Sequence, residues 1–100
     1  MDKSISSEEY AVFLRELRAA RRASGVTQID VAERLGETQS FVSKCERGER
    51  RLDVIELRAF CQAIGVPFKR FVDMLEQALL KGTVAGRAGK DAPKKKRPGF

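Results

Sequence analysis

Apolar residues recur at helical spacing through the first 80 residues of the chain, in five segments separated by breaks that contain glycine. Tyr10, Leu14 and Leu17 mark one face of the first segment, and the last segment has a wide apolar face. Glycine follows the last periodic residue of a segment, where a helix commonly ends. The pattern predicts an all-α domain over residues 6–80, with a flexible N-terminus at 1–5. The five predicted helices cover about residues 6–24, 28–35, 39–46, 53–64 and 67–80.

Three predicted helices share one type of start. A residue with a side-chain oxygen is followed three positions later by an acid, which is the pattern of a capping box. The three pairs are Ser6 with Glu9, Thr27 with Asp30, and Asp53 with Glu56. Thr38 is the predicted cap of the third helix, and Pro67 opens the fifth, where proline is favoured.

The net charge of +6 lies entirely in the last 20 residues. Residues 81–100 contain seven Lys and Arg against one acid, and the first 80 residues contain 13 of each sign. We therefore predict a disordered basic tail at 81–100, rich in glycine and proline, behind a neutral domain. The tail's PKKKR run can be a phosphate-binding arm, a solubilising end or a nuclear import signal.

Several classes of chemistry find no candidates in the sequence. Histidine is absent, and neither a nucleophile–base pair nor a glycine-rich phosphate loop is present. Cys45 and Cys61 lie in apolar helical patterns, which favours reduced, buried thiols over a metal or redox pair. No apolar run is long enough for a membrane span, and the polar N-terminus is unlike a signal peptide. We predict a cytoplasmic protein without catalytic residues, metal or cofactor.

Residues 27–48 form the most informative segment of the chain. The pattern predicts two short helices joined by a tight turn at Gly36, with Ala32 as the small residue where they cross. This is the sequence form of a helix-turn-helix, in which the second helix enters the DNA major groove.

The second helix of this motif, over residues 39–46, carries side chains suited to reading bases. Gln39 has the donor and acceptor that pair with adenine, and Ser40 can donate or accept. Lys44, one turn beyond Ser40, can reach guanine or a phosphate. At the start of the preceding helix, unpaired amides of Thr27 and Gln28 form a candidate phosphate clamp.

The chain resembles the helix-turn-helix family of lambda-type phage repressors and Cro, the XRE-like bacterial regulators. The resemblance covers about residues 10–75. It is carried by TQ at 27–28, AERLG at 32–36, QSFVSKCERG at 39–48 and AIGV at 63–66. It implies a lambda-repressor-like fold, with the motif proper at 28–47, and a buried ion pair between Arg21 and Glu46. It also implies base contacts by Gln39, Ser40 and Lys44, and positions at the phosphates for Gln28, Thr38, Ser43 and Arg47.

Two residues depart from the family pattern. Glu37 places a charge in the turn, where the family often has a small apolar residue. Phe41 stands at an outward position of the reading helix, where it can contact a thymine methyl or pack against the loop before the fourth helix. Beyond the helix, Arg47, Arg50 and Arg51 can contact phosphates or form a solvated face; we include Arg50 among the phosphate candidates.

These features predict a DNA-binding transcriptional regulator, more often a repressor, that binds a near-palindrome as a homodimer. Met74, Leu79 and Leu80 extend beyond what a five-helix core needs and form the predicted dimer surface. One alternative is an antitoxin or adaptor that binds a toxin or another regulator as well as its own operator. Another is a non-specific architectural protein driven by the tail. The expected location is the cytoplasm of a bacterium or a phage-infected cell, in association with the nucleoid.

Overall fold

Five α-helices make up the part of the chain that the structure describes. The structure is a computed structural model that describes residues 4–87, with side chains over 7–82. The helices are α1 (Ser4–Ala23), α2 (Gln28–Leu35), α3 (Gln39–Glu46), α4 (Val54–Ile64) and α5 (Phe68–Arg87). The predicted all-α, five-helix class is confirmed, and the limits of α2 and α3 are those that the sequence predicted.

The two outer helices are longer than predicted. α1 begins at Ser4, so Ser6 lies inside the helix instead of capping it, and the helix overlaps the predicted flexible N-terminus. α5 continues to Arg87, beyond the predicted boundary at residue 80. A β-carbon at Gly82 would lie 3.6 Å from the Val12 side chain, so α5 still follows α1 at this point. The rest of the predicted tail, residues 88–100, lies outside the described residues.

One hydrophobic core joins all five helices. α1 packs on α3 and α5, α2 packs on α3 and α4, and α4 packs on α5. Phe13 of α1 meets Phe71 of α5 edge to face, with ring centroids 6.1 Å apart. The largest fully buried apolar side chains are Leu17, Val31, Val42, Phe60, Ile64 and Phe71. Because Val31 and Val42 are both part of this core, the core fixes how α2 and α3 sit against each other.

Capping boxes fix the starts of α2 and α4, as predicted. The Thr27 hydroxyl accepts from the Asp30 amide at 3.0 Å, and the Asp30 carboxylate accepts from the Thr27 amide at 2.9 Å. Asp53 and Glu56 exchange the same pair of bonds at 2.7 and 3.0 Å. The bonds from Thr27 hold the pKa of Asp30 below its usual value, so this carboxylate stays ionised at neutral pH.

Candidate nucleic-acid interface

A three-residue turn, residues 36–38, places α3 across α2. Gly36 ends α2 in the left-handed conformation, with φ 71°, which a residue with a β-carbon adopts only at a cost. The Glu37 amide then donates to the Ala32 carbonyl at 2.9 Å. Thr38 begins α3 by accepting from the Phe41 amide at 3.0 Å. Every polar group that directs the chain through this turn is supplied locally, which explains why the motif could be identified from the sequence.

The exposed side of α3 carries the three predicted base-reading residues. Val42 and Cys45 are fully buried on the opposite side of the helix. Gln39, Ser40 and Lys44 are all exposed, and Ser40 and Lys44 lie one helical turn apart. The structure thus brings the three side chains together on one surface, and their contact with bases remains a prediction.

A buried ion pair anchors α3 to α1. The guanidinium of Arg21 donates two hydrogen bonds to the carboxylate of Glu46, at 2.6 and 3.0 Å. Their side chains are only 10% and 1% exposed, so this is the buried pair that the family resemblance implied. Arg18 adds a hydrogen bond to the Glu46 carbonyl at 2.8 Å, and Arg21 adds one to the Val26 carbonyl at 3.0 Å. Such a pair fixes geometry more reliably than it adds stability.

The buried pair is connected to the exposed side of α3 through two glutamines. The side-chain NH2 group of Gln28 donates to the Glu46 carboxylate at 2.9 Å. The side-chain oxygen of Gln28 accepts from the side-chain NH2 group of Gln39 at 3.3 Å. Gln39 retains its carbonyl oxygen and a second N–H, the combination that suits adenine. Sequence reasoning missed this link, although glutamine as the first residue of both α2 and α3 was a signal for it.

The predicted phosphate contacts are partly engaged within the protein. The Thr27 amide, expected from the sequence to be unpaired, donates to Asp30. That expectation was wrong because the capping box uses the same N–H. The Arg47 guanidinium donates to Glu49 at 2.8 Å and also to the Ser43 hydroxyl. A phosphate at these positions would therefore replace or share an existing partner.

Arg50 forms a bidentate pair with Glu56 of α4. Its two terminal nitrogens donate to the two carboxylate oxygens at 3.1 and 2.8 Å. This bonding, together with the Asp53 amide, lowers the pKa of Glu56 to about 2. Arg47 likewise lowers the pKa of Glu49. Sequence reasoning did not identify Glu56 as a partner because its capping role at α4 already accounted for it.

Phe41 is half-buried rather than outward. Its ring packs against the core, and the Arg50 guanidinium lies over it, 4.9 Å from its centroid. A cavity of about 150 Å³ beside the ring is also lined by Leu52, which precedes α4, and by the exposed Glu37. These surroundings match packing against the loop before α4, and the thymine contact remains a prediction.

The three residues of the predicted dimer surface do not share one face of α5. Met74 lines a groove against α1, beside Arg15 and Glu16. Leu79 is half-buried and Leu80 is 48% exposed. At roughly 100° per residue, Met74 lies about 120–140° around the helix from both leucines. Met74 therefore lies on a different side of α5 from the two leucines, a division that the apolar pattern along one helix does not show. The dimer surface remains a prediction.

The two cysteines are buried, free thiols. Burial raises the pKa of Cys61 to about 11 and also raises that of Cys45, which disfavours the reactive thiolate. Over residues 7–82, no group of potential metal ligands is large enough to hold an ion. None of the helices in the described segment has the length and apolarity to cross a membrane.

Comparison with known proteins identifies the family. A family model described as a helix-turn-helix domain matches residues 10–70. An uncharacterized HTH-type transcriptional regulator, y4dJ, from Sinorhizobium fredii is 46% identical over 46 residues, which span 46% of this chain and 60% of that protein. The solved structure of an XRE-family like protein from Pseudomonas syringae pv. tomato is 48% identical, with a TM-score of 0.70 over 75% of this chain and 92% of its own. The chain therefore belongs to the XRE-type helix-turn-helix family.

Proposed function

We propose that this protein is a sequence-specific transcriptional regulator that binds duplex DNA with α3 in the major groove. The observation that carries the proposal is the exposed row of Gln39, Ser40 and Lys44 on a helix anchored by the buried Arg21–Glu46 pair. A reading helix must present its donors and acceptors in fixed positions, because base discrimination depends on hydrogen-bond geometry. The HTH-type transcriptional regulator to which the chain is similar supports the same role.

Each contact has a separate role in this proposal. Gln39 pairs with adenine through its amide, Ser40 makes a hydrogen bond to a neighbouring base, and Lys44 binds guanine or a phosphate. The DNA backbone is contacted by residues at the edge of the exposed side of α3, namely Gln28, Thr38 and Ser43. Phosphate contacts fix the register of the helix in the groove, and the base contacts supply the discrimination.

The regulator binds as a homodimer and acts by occupying a promoter, more often as a repressor. Two copies of α3 in successive major grooves would be about 34 Å apart, which requires a near-palindromic site. On α5, Val72 is 41% exposed and lies within about 20° of Leu79 around the helix. This apolar stripe, with the exposed Leu80, replaces the surface predicted from the sequence as the candidate for self-association.

Selection of duplexes from a random pool tests this function. We expect enrichment of a short inverted repeat whose two halves are centred about one helical turn apart. Equal recovery of unrelated sequences would contradict specific recognition, and an enriched single half-site would contradict the dimer. Val72→Glu should give a monomer in sedimentation, whereas Gln77→Glu in the groove against α1 should leave the dimer intact. An unchanged Val72→Glu profile would exclude this stripe.

A further inference from the structure

Two of the three arginines in the loop after α3 are each bound to an acid of the same chain. The third, Arg51, lies over the ring of Tyr10, 4.1 Å from its centroid. Arg47 pairs with Glu49 and Arg50 pairs with Glu56, each with a shortest N–O distance of 2.8 Å. The loop is folded back onto α3, because the amides of Glu49 and Arg50 both donate to the Lys44 carbonyl, at 2.9 and 3.3 Å. The Arg47 guanidinium also donates to the Ser43 hydroxyl, and that of Arg50 lies over the Phe41 ring, so both pairs adjoin the proposed reading surface on α3.

These pairs stay charged at every pH at which the protein would bind DNA. The pKa of Glu56 is about 2. The hydrogen bond and the charge of Arg47 lower the pKa of Glu49, and the charge of nearby Lys44 lowers it further. Each acid therefore cancels the charge of a cation that adjoins the reading surface. The first 80 residues are neutral as a whole, so no excess of positive charge elsewhere in the domain makes up for the two cancelled cations.

Both arginine pairs are accessible to a competing anion. The side chains of Arg47 and Glu49 are each 54% exposed, and those of Arg50 and Glu56 are 43% and 34% exposed. Exposed pairs of this kind are screened by water, so a phosphate can exchange with the carboxylate. A paired arginine contributes less to DNA binding than an unpaired arginine would, because its ion pair with the acid breaks when it pairs with the phosphate.

We propose that Glu49 and Glu56 are positioning residues that compete with DNA phosphates for Arg47 and Arg50. They thereby limit the sequence-independent part of DNA affinity, while the base-reading side chains on α3 are left unchanged. The inference rests on the proposed function, since it concerns the same interface. It assigns to the two acids the control of salt dependence, a property that sequence-independent contacts dominate.

Glu49→Gln and Glu56→Gln, alone and combined, test this inference. Glutamine at position 56 keeps an oxygen for the Asp53 amide and so preserves the cap of α4. Glu8→Gln is the matched control, since it makes the same charge change at an exposed site on α1, away from α3 and from the apolar stripe on α5. Affinity for the selected duplex and a scrambled duplex would be measured by fluorescence anisotropy from 50 to 200 mM salt.

We expect each loop variant to bind both duplexes more tightly than the wild type. The log–log salt slope should steepen by about 0.9 for each additional phosphate that the variant neutralises, which enlarges the affinity loss over this salt range about 3.5-fold. Slopes equal to those of Glu8→Gln, or weaker binding by the loop variants, would overturn the inference. If the wild type bound both duplexes equally, the proposed specificity would fail, and the slopes would still decide the role of the two acids.

Discussion

Replacing Glu46 with glutamine tests whether the buried ion pair holds α3 by its charge as well as by its shape. The carboxylate accepts two hydrogen bonds from Arg21 and one from Gln28, and its side chain is 1% exposed. Glu46→Gln keeps the size of the side chain and one acceptor oxygen, but leaves the Arg21 guanidinium buried without its counter-charge. Breaking a buried pair in this way costs about 3–5 kcal/mol, a large part of the ~5–15 kcal/mol that stabilises a small domain.

The double variant Arg21→Met, Glu46→Gln separates the charge from the packing. It removes both charges, fills the Arg21 site with an apolar side chain, and keeps an acceptor for Gln28. Because a buried pair replaced by uncharged groups is often close to neutral, we expect the double variant to recover about 2 kcal/mol relative to Glu46→Gln alone.

Urea unfolding of the wild type, both single variants and the double variant measures this coupling. If the two single losses simply added in the double variant, to within about 0.5 kcal/mol, the residues would be independent and the reasoning would be refuted. Circular dichroism of each variant before unfolding is the control for an intact helical fold.

Two further predictions concern a glycine and the acid stability of the loop after α3. At Gly48, with φ 82°, a β-carbon would lie 2.9 Å from the Leu14 side chain, whereas at Gly25, with φ 73°, it would meet nothing within 4 Å. Gly25→Ala should therefore cost about 1–2 kcal/mol of unfolding free energy from backbone strain alone. Gly48→Ala should cost more, because the buried Leu14 side chain must also shift, and equal losses in thermal melts would contradict the contact. The pKa of Glu56 falls from 4.5 to about 2 on folding, so its contribution to stability is present above pH 4.5 and is lost as the pH falls toward 2. Glu56→Gln should weaken this acid dependence in urea midpoints measured between pH 6 and 2.5, and an unchanged dependence would contradict the pairing.

Local signals were sufficient to predict the centre of the fold. The limits of α2 and α3 depend on Thr27, Gly36 and Thr38, whose effects act within a few residues of the chain. Past residue 80, α5 instead runs close to α1, where a β-carbon at Gly82 would lie 3.6 Å from the Val12 side chain, a contact between distant parts of the sequence. Helical periodicity contains no information on such a contact, so the boundary at residue 80 fell too early.

The candidate site divides in the same way. The exposed positions of Gln39, Ser40 and Lys44 follow from the period of one helix whose other side is apolar. The pairing of Arg50 with Glu56 and the hydrogen bond between Gln28 and Gln39 depend on which side chains two different elements bring within reach. Charges close in sequence suggested a solvated or phosphate-binding cluster, and only the packing of α4 beside the loop revealed the partner of Arg50.

The most direct test of α3 as the reading helix compares the wild type with Gln39→Ala on the selected duplex and all of its single-base variants. We predict that Gln39→Ala loses about 1–3 kcal/mol of binding free energy and that discrimination relaxes at one position in each half-site. Discrimination at the other positions, and the slope of affinity against salt, should stay as in the wild type. A uniform weakening at every sequence, with discrimination unchanged, would contradict the assignment of α3 as the reading helix and Gln39 as its base contact.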